Sequence, residues 1–230
     1  MKWVHGRKAV VLGNLAEYLH RLELKEFDVP SYLKAINHSE YKNVPSLGFA
    51  ISGGGYASAY TGIGMMRALD DRLPPSVQQR TGGLLQSMLY QTGLSGGSWP
   101  TVSFLANGYP TVDEIIKIWK PDIVRPAAGE STVSAANSTS LFYDLAAKFK
   151  AGFPVTTADY FGRAWAYEFV PGPHGGVETT FSSFVDIPAF KNHQAPFPIL
   201  HFSSIVPNDA PFYGLQIDND NGTTVRKQSS

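Results

Sequence analysis

The sequence has no cysteine, no net charge and no long apolar run, and each absence excludes a class of protein. Without cysteine there are no disulfides, no thiol chemistry and no cysteine-ligated metal site. Nineteen basic residues balance nineteen acidic residues, which argues against nucleic acid as a partner. No apolar run reaches the roughly 18 residues of a transmembrane helix, and the histidines show no metalloprotease spacing. The function must therefore depend on other side chains or on the backbone.

The composition that remains is that of a packed globular chain. Apolar residues make up 43% and aromatic residues 13%, which is too much for a disordered chain. The 230 residues suit one domain, or part of one. We expect a single unit over residues 1–230, with a polar tail at about 219–230 that frays. Residues 1–8 lack the apolar segment and the cleavage site of a signal peptide.

A serine between glycines lies towards the end of the first half of the chain. Residues 93–97 fit the pattern G-x-S-x-G, which places Ser95 on a tight turn between a strand and a helix. Such a turn exposes the hydroxyl and directs the backbone N–H of Gly96 into the same space. An ordinary glycine- and serine-rich loop is the alternative.

Three consecutive glycines, residues 53–55, follow the apolar run 47–51, which is typical of a buried strand. This backbone can present several N–H groups to one point and so bind a phosphate or an oxyanion. A helix predicted over about 57–71 would add its positive N-terminus. A flexible loop is the alternative. A nucleotide-binding phosphate loop is less well supported, because the Gly-Lys-Ser/Thr ending of that motif does not follow these glycines. Together, the three glycines and Ser95 favour an acyl-transfer site.

The remaining periodicity predicts an α/β fold of three layers, a sheet with helices on both faces. The predicted strands are residues 47–51, 89–93 and 197–203; further helices are expected at 9–24, 99–105, 141–150 and 158–169, and another opens at Thr111 and runs through Trp119.

Individual residues add detail to the predictions for several of these helices. Thr111 and Glu114 fit a capping box, whereas Arg7 falls largely outside the leucine stripe of the first helix. Gly62 and Gly64 occupy positions where close packing requires small residues.

Two segments leave alternatives open. Residues 125–140 suit a surface loop or a mobile lid. Phe161, Trp165 and Phe169, four residues apart, are expected in the core, with a lipid groove as the alternative.

Three segments, residues 51–56, 81–87 and 93–99, closely resemble fungal lysophospholipases, also called phospholipases B, whose catalytic fold is shared with the cytosolic phospholipases A. The likeness runs from about residue 3 to about residue 211. It implies an incomplete patatin/phospholipase-like catalytic domain of a serine esterase. Its substrates would be phospholipids or lysophospholipids at a lipid–water interface, cleaved without a metal or cofactor.

The resemblance also implies roles for particular residues. Ser95 would be the nucleophile of a serine–aspartate dyad without histidine. The backbones of Gly54 and Gly55, with the N–H of Gly96, would bind the oxyanion.

The sequence departs from that family at two points. The arginine that normally follows the glycine–aromatic segment is Ala57 here, and the next arginine of that helix, Arg67, lies about 15 Å further along the axis. The family's aspartate stands in an Asp-Gly-Gly motif, which is absent. The late aspartates, none followed by two glycines, are Asp186, Asp209, Asp218 and Asp220.

Loss of the base costs serine hydrolases roughly 10⁴- to 10⁶-fold in turnover. We therefore expect very low activity from this chain alone. A non-catalytic lipid- or anion-binding relative is the alternative, and a nucleotide-binding module on the three glycines is a more remote one. Fungal relatives are commonly secreted or bound to the cell surface. Three glycosylation patterns, at Asn37, Asn137 and Asn221, favour a secreted glycoprotein slightly.

Overall fold

The computed structural model describes residues 2–119, 135–172, 175–201, 213–218 and 222–227, with the backbone alone for 135–140, 213–218 and 222–227. The helices are α1 (Lys2–Leu22), α2 (Val29–Asn37), α3 (Gly55–Leu69), α4 (Pro74–Gln78), α5 (Ser98–Ala106), α6 (Val112–Ile118), α7 (Ala135–Lys150), α8 (Thr157–Phe169) and α9 (Pro188–Lys191). The strands are β1 (Gly48–Ile51), β2 (Tyr90–Leu94), β3 (Phe197–His201), β4 (Tyr213–Asp218) and β5 (Gly222–Lys227).

Three parallel strands form the sheet that positions the site, in the order β1–β2–β3. The register pairs Ile51 with Gly93, and Gly93 with Leu200. Parallel strands end at one edge, where α/β sheets bind ligands, so the segments that follow β1 and β2 meet there. Strands β4 and β5 pair as a separate antiparallel hairpin. The predicted α/β class and the three sheet strands are confirmed.

Helix α3 packs directly on β1, and a glycine sets the distance. A methyl group on Gly62 would lie 2.8 Å from Cγ2 of Ile51, so this position requires a small residue. The prediction was wrong for Gly64, which is exposed with open space around its Cα. The main core cluster is apolar and includes Phe49, Ile63, Met66, Phe104 and Ile115.

Helix α1 is held by a buried cation. Arg7 is fully buried, although the sequence placed it outside the apolar stripe. Its guanidinium donates to the carbonyl oxygens of Gln86, Met88, His193 and Gln194 at 2.5–3.1 Å. Desolvation lowers the pKa of Arg7 to about 10, which leaves it charged at neutral pH. Because these carbonyls precede β2 and β3, Arg7 joins α1 to the amino ends of both strands.

The remaining predictions concern a helix cap, a possible lid, the end of the chain and membrane-spanning helices. The capping box of Thr111 and Glu114 is formed at the start of α6, which confirms it. Of the possible lid, residues 125–134 lie outside the described residues, and residues 135–140 belong to α7. Of the tail, residues 219–221 and 228–230 lie outside the described residues, whereas residues 222–227 form β5, so the expectation of a frayed end was wrong for them. In the part of the chain that is described, no helix is long and apolar enough to cross a bilayer.

Candidate active site

Ser95 lies at the carboxyl end of β2, on a turn that leads into α5. Residues Ser95–Gly97 form one turn of 3₁₀ helix, and α5 begins directly afterwards. The φ angle of Ser95 is +50°, in a region that non-glycine residues seldom adopt. The Ser98 hydroxyl donates to the Gly93 carbonyl at 2.9 Å and closes the turn, while the Ser95 side chain is exposed. This is the strand–turn–helix geometry of a nucleophile elbow.

The elbow and the glycine loop are in backbone contact. A methyl group on Gly96 would lie 2.6 Å from the backbone nitrogen of Gly55, so no side chain fits there. A Cβ on Gly53 would lie 3.2 Å from the Cβ of Ser95. The structure therefore brings the serine together with the three glycines to which the sequence pointed.

The glycine loop also forms the amino end of a helix. Gly54 precedes α3 with a φ of +144°, and Gly55 is its first residue with a φ of +62°, both unfavourable for other residues. The Ser58 hydroxyl donates to the Ser52 carbonyl and so ties the loop to α3. The first N–H groups of a helix lack intrahelical partners and carry partial positive charge. Such an end can stabilise negative charge that develops beside Ser95.

An open cleft of about 290 Å³ lies along the glycine loop. Residues of β1, the glycine loop and α3 line it, including Gly53, Gly54, Ala57 and Met65. Ser95 does not line this cleft. Ala57 is exposed, so the position of the family arginine faces solvent and the cleft. Arg67 does not replace that arginine, because it forms an ion pair with Asp113 at 2.6 Å.

No base contacts the serine among the residues whose side chains are described. There, neither a carboxylate nor an imidazole forms a hydrogen bond with the Ser95 hydroxyl, and Asp186 is exposed as the last residue of the 3₁₀ turn Phe181–Asp186. Of Asp218 only the backbone is described, and Asp209 and Asp220 lie outside the described residues. Within the same part of the chain, no three histidine, aspartate or glutamate side chains converge as metal ligands would.

Sequence reasoning missed one carboxylate near the glycine loop. Glu168 of α8 is only 3% exposed and accepts a hydrogen bond from the Tyr56 hydroxyl at 2.5 Å. Tyr56 directly follows Gly55, and its ring lies 5.0 Å from that of Trp99. Burial and the Glu168 charge raise the pKa of Tyr60, one turn further along α3. The signal for Glu168 in the sequence was one acidic residue between the aromatic residues at the end of α8.

The sequence and fold were compared with known proteins. A profile of the lysophospholipase catalytic domain matches residues 47–213. Lysophospholipase 2 of Saccharomyces cerevisiae is 36% identical over 207 residues, which cover 86% of this chain and 29% of the yeast protein. Lysophospholipase 3 of the same yeast is 33% identical over an alignment of 232 positions, which covers 96% of this chain and 33% of that protein. The chain thus spans about a third of the length of these curated relatives.

Among solved structures, human GIVD cytosolic phospholipase A2 has the same fold. It aligns with a TM-score of 0.58 at 19% identity, covering 96% of this chain and 24% of the human chain. The same human protein bound to a linolenyl fluorophosphonate inhibitor aligns with a TM-score of 0.56 over 86% of this chain and 25% of the other.

Proposed function

The chain belongs to the lysophospholipase catalytic-domain family, a family of hydrolases, and on this premise we propose that it carries the nucleophile and the oxyanion site of a serine acyl hydrolase. The substrates are fatty acyl esters of glycerophospholipids and lysophospholipids at a lipid–water interface. One observation carries the proposal: the exposed Ser95 stands against the backbone of the glycine loop. The profile match and the fungal relatives confirm the resemblance to fungal lysophospholipases at the level of the family.

The proposed steps use Ser95 and the glycine N–H groups, together with a base that accepts the serine proton. The Ser95 oxygen attacks the ester carbonyl carbon, and the carbonyl electron pair moves onto its oxygen. The N–H groups of Gly54, Gly55 and Gly96 stabilise this oxyanion, and loss of one such donor typically costs about 10²- to 10³-fold in kcat. Collapse expels the lysophospholipid or glycerophosphodiester, which takes up a proton. Water then attacks the acyl-serine, releases the fatty acid and restores the hydroxyl.

The proton from the Ser95 hydroxyl needs an acceptor, because a neutral serine is a poor nucleophile. The 230 residues contain no Asp-Gly-Gly motif. We therefore propose that an aspartate from sequence outside these residues completes the dyad, and that residues 1–230 fold as one incomplete catalytic domain. Turnover by this chain alone is then very low. Secretion and glycosylation stay proposals; Asn37 is exposed at the end of α2, as an acceptor must be.

A fluorophosphonate probe tests the assignment of Ser95, because it reacts with activated serines. We expect weak labelling of this chain, stronger labelling once the relatives' downstream segment is appended, and none in Ser95→Ala. The matched control is Ser182→Ala, which removes another exposed hydroxyl and should leave labelling unchanged. Strong labelling of a different serine would falsify the assignment.

A second function, non-catalytic binding of lipids or anions, is favoured by Ala57 in place of the family arginine. In that function the glycine loop still binds an anion, but no ester is cleaved. Liposome binding that is unchanged in Ser95→Ala, with no fatty acid released even by the extended chain, would support it. Release of fatty acid that depends on Ser95 would exclude it.

A further inference from the structure

A hydrogen bond links a buried carboxylate, which none of the proposed steps uses, to the residue that follows the glycine loop. Glu168, near the end of α8, is only 3% exposed, and it accepts from the Tyr56 hydroxyl at 2.5 Å. Removing a carboxylate from water is unfavourable unless hydrogen bonds or opposite charges compensate it. The Tyr56 hydroxyl provides part of this compensation, so the two side chains hold each other in place.

Tyr56 is the second residue of α3, and its position affects the proposed oxyanion donors. It directly follows Gly55, whose backbone lies against that of Gly96 in the serine turn. Consecutive residues of a helix are joined by a repeating, rigid geometry, so a displacement of Tyr56 is passed on to Gly55. A side chain that holds Tyr56 therefore acts on the glycine loop.

The end of α8 that carries Glu168 is itself fixed to α5, the helix that follows the serine turn. The Ser103 hydroxyl of α5 donates to the main-chain carbonyl of Phe169 at 2.6 Å. The Phe169 ring stacks on that of Trp99, with centroids 5.2 Å apart, and the Tyr56 ring meets the Trp99 ring edge-on at 5.0 Å. The end of α8 thus connects the amino end of α3 with the helix behind the nucleophile.

We propose that Glu168 is a positioning residue: through Tyr56 it holds the amino end of α3, and with it the glycine N–H groups, in the orientation that stabilises the oxyanion. The proposal rests on the proposed function, which supplies the oxyanion. Oxyanion donors are effective when they are directed at the developing charge beforehand, and a misplacement of about 1 Å can cost about 100-fold in rate. The contacts that carry the proposal are made within this chain, so they do not depend on the segment that supplies the base.

The rate at which a fluorophosphonate labels the extended chain tests this role. Tyr56→Phe keeps the aromatic ring and removes the hydroxyl, so the limiting rate constant of labelling should fall at least about 10-fold. The probe concentration that gives half of the limiting rate should stay unchanged, because the lost interaction acts on the transition state. The matched control is Tyr60→Phe, which removes another tyrosine hydroxyl of α3 that the Glu168 charge reaches and should label as the unmodified chain does.

Two variants of Glu168 separate the hydrogen bond from the charge. Glu168→Gln keeps an acceptor for the Tyr56 hydroxyl and should label at close to the unmodified rate. Glu168→Met has comparable volume without an acceptor and should show the same fall as Tyr56→Phe. Urea titration verifies that each variant is folded under the labelling conditions. Loss of labelling in Glu168→Gln as complete as in Ser95→Ala would make Glu168 the base and overturn the positioning role.

Nuclear magnetic resonance of the chain with isotope-labelled glycine gives a second measurement that needs no catalysis. In Tyr56→Phe, relaxation of the Gly55 and Gly96 N–H groups should show a loss of order. Gly64, about two turns further along α3, should keep its order. If the unmodified extended chain is not labelled at all, the proposed function fails, and unchanged order of the Gly55 and Gly96 N–H groups would then overturn the positioning role by itself.

Three further results would overturn the proposal. One is labelling of Tyr56→Phe at the unmodified rate. Another is a fall in labelling that Tyr60→Phe shares or that the unfolded fraction of the variant accounts for. The third is equal labelling by Glu168→Gln and Glu168→Met, which would show that the hydrogen bond to Tyr56 does not set the rate.

Discussion

The Cα of Gly96 faces the backbone nitrogen of Gly55 so closely that an added methyl group would lie 2.6 Å from it. The same methyl group would lie 2.6 Å from the Gly55 Cα. Gly96 lies within the 3₁₀ turn that follows β2, and Gly55 is the first residue of α3, which follows β1. Their contact joins the serine turn to the helix whose N–H groups would meet the oxyanion.

Gly96→Ala should therefore disturb the candidate active site, unlike a glycine-to-alanine substitution at an open position of a helix. The methyl group forces the serine turn away from α3, so we expect fluorophosphonate labelling of the extended chain to fall at least about 10-fold and the free energy of unfolding to decrease. The control is Gly64→Ala in α3, where the Cα faces open space. There alanine should raise the free energy of unfolding by about 0.5–1 kcal/mol. Equal labelling by both variants would contradict the contact.

Arg7→Met should lower the free energy of unfolding by about 3 kcal/mol or more, because it leaves several buried carbonyl groups without a donor. Urea titration followed by circular dichroism measures this change. Arg21→Met is the control. It removes a half-buried arginine from the same helix that donates to a single carbonyl, that of Gly82. A smaller effect for Arg7 than for Arg21 would show that the buried cation does not hold the strands.

Sequence patterns predicted the parts of this molecule that depend on neighbours in the chain. The strands, the elbow at Ser95 and the capping box at Thr111 all follow from spacings of a few residues. Arg7 was misjudged because its carbonyl partners lie 79 or more residues away, and periodicity within one helix does not register such partners. Glu168 was missed for the same reason, since its partner Tyr56 is 112 residues distant.

Tyr109 should make the fold sensitive to alkali. Burial raises the pKa of its phenol well above the ordinary value, and Tyr109 is only 7% exposed. In the unfolded chain the phenol ionises near pH 10, so above that pH the unfolded state binds fewer protons and the free energy of unfolding falls. Tyr109→Phe should lessen this fall between pH 9 and pH 11, estimated as about one unit on each side of the ordinary pKa. Urea titrations at each pH measure it.

The control for that experiment is Tyr143→Phe, whose ring is 71% exposed. This variant removes an exposed tyrosine hydroxyl and leaves Tyr109 and its surroundings unchanged. The lowered pKa of Arg7 acts with the opposite sign, because the unfolded chain then binds more protons above pH 10. The Tyr109 phenolate in turn raises the pKa of Arg7, so the difference between the two tyrosine variants reports the phenol together with its effect on Arg7. Identical slopes for all three proteins would contradict the assignment.

Ala57 is where the proposed hydrolase and the proposed non-catalytic binder make different predictions. The side chain is exposed and lines the cleft along the glycine loop, so an arginine fits without displacing the core. In the extended chain, Ala57→Arg should raise the release of fatty acid several-fold if a phosphate or an oxyanion approaches the glycine loop, because a cation at about 4 Å interacts favourably with an anion at a protein surface. Ala57→Met adds comparable volume without charge and should leave the rate unchanged. Equal gains in both variants would mean that filling the cleft, and not the positive charge, sets the rate; no release of fatty acid by either variant or by the unmodified extended chain would favour the binder.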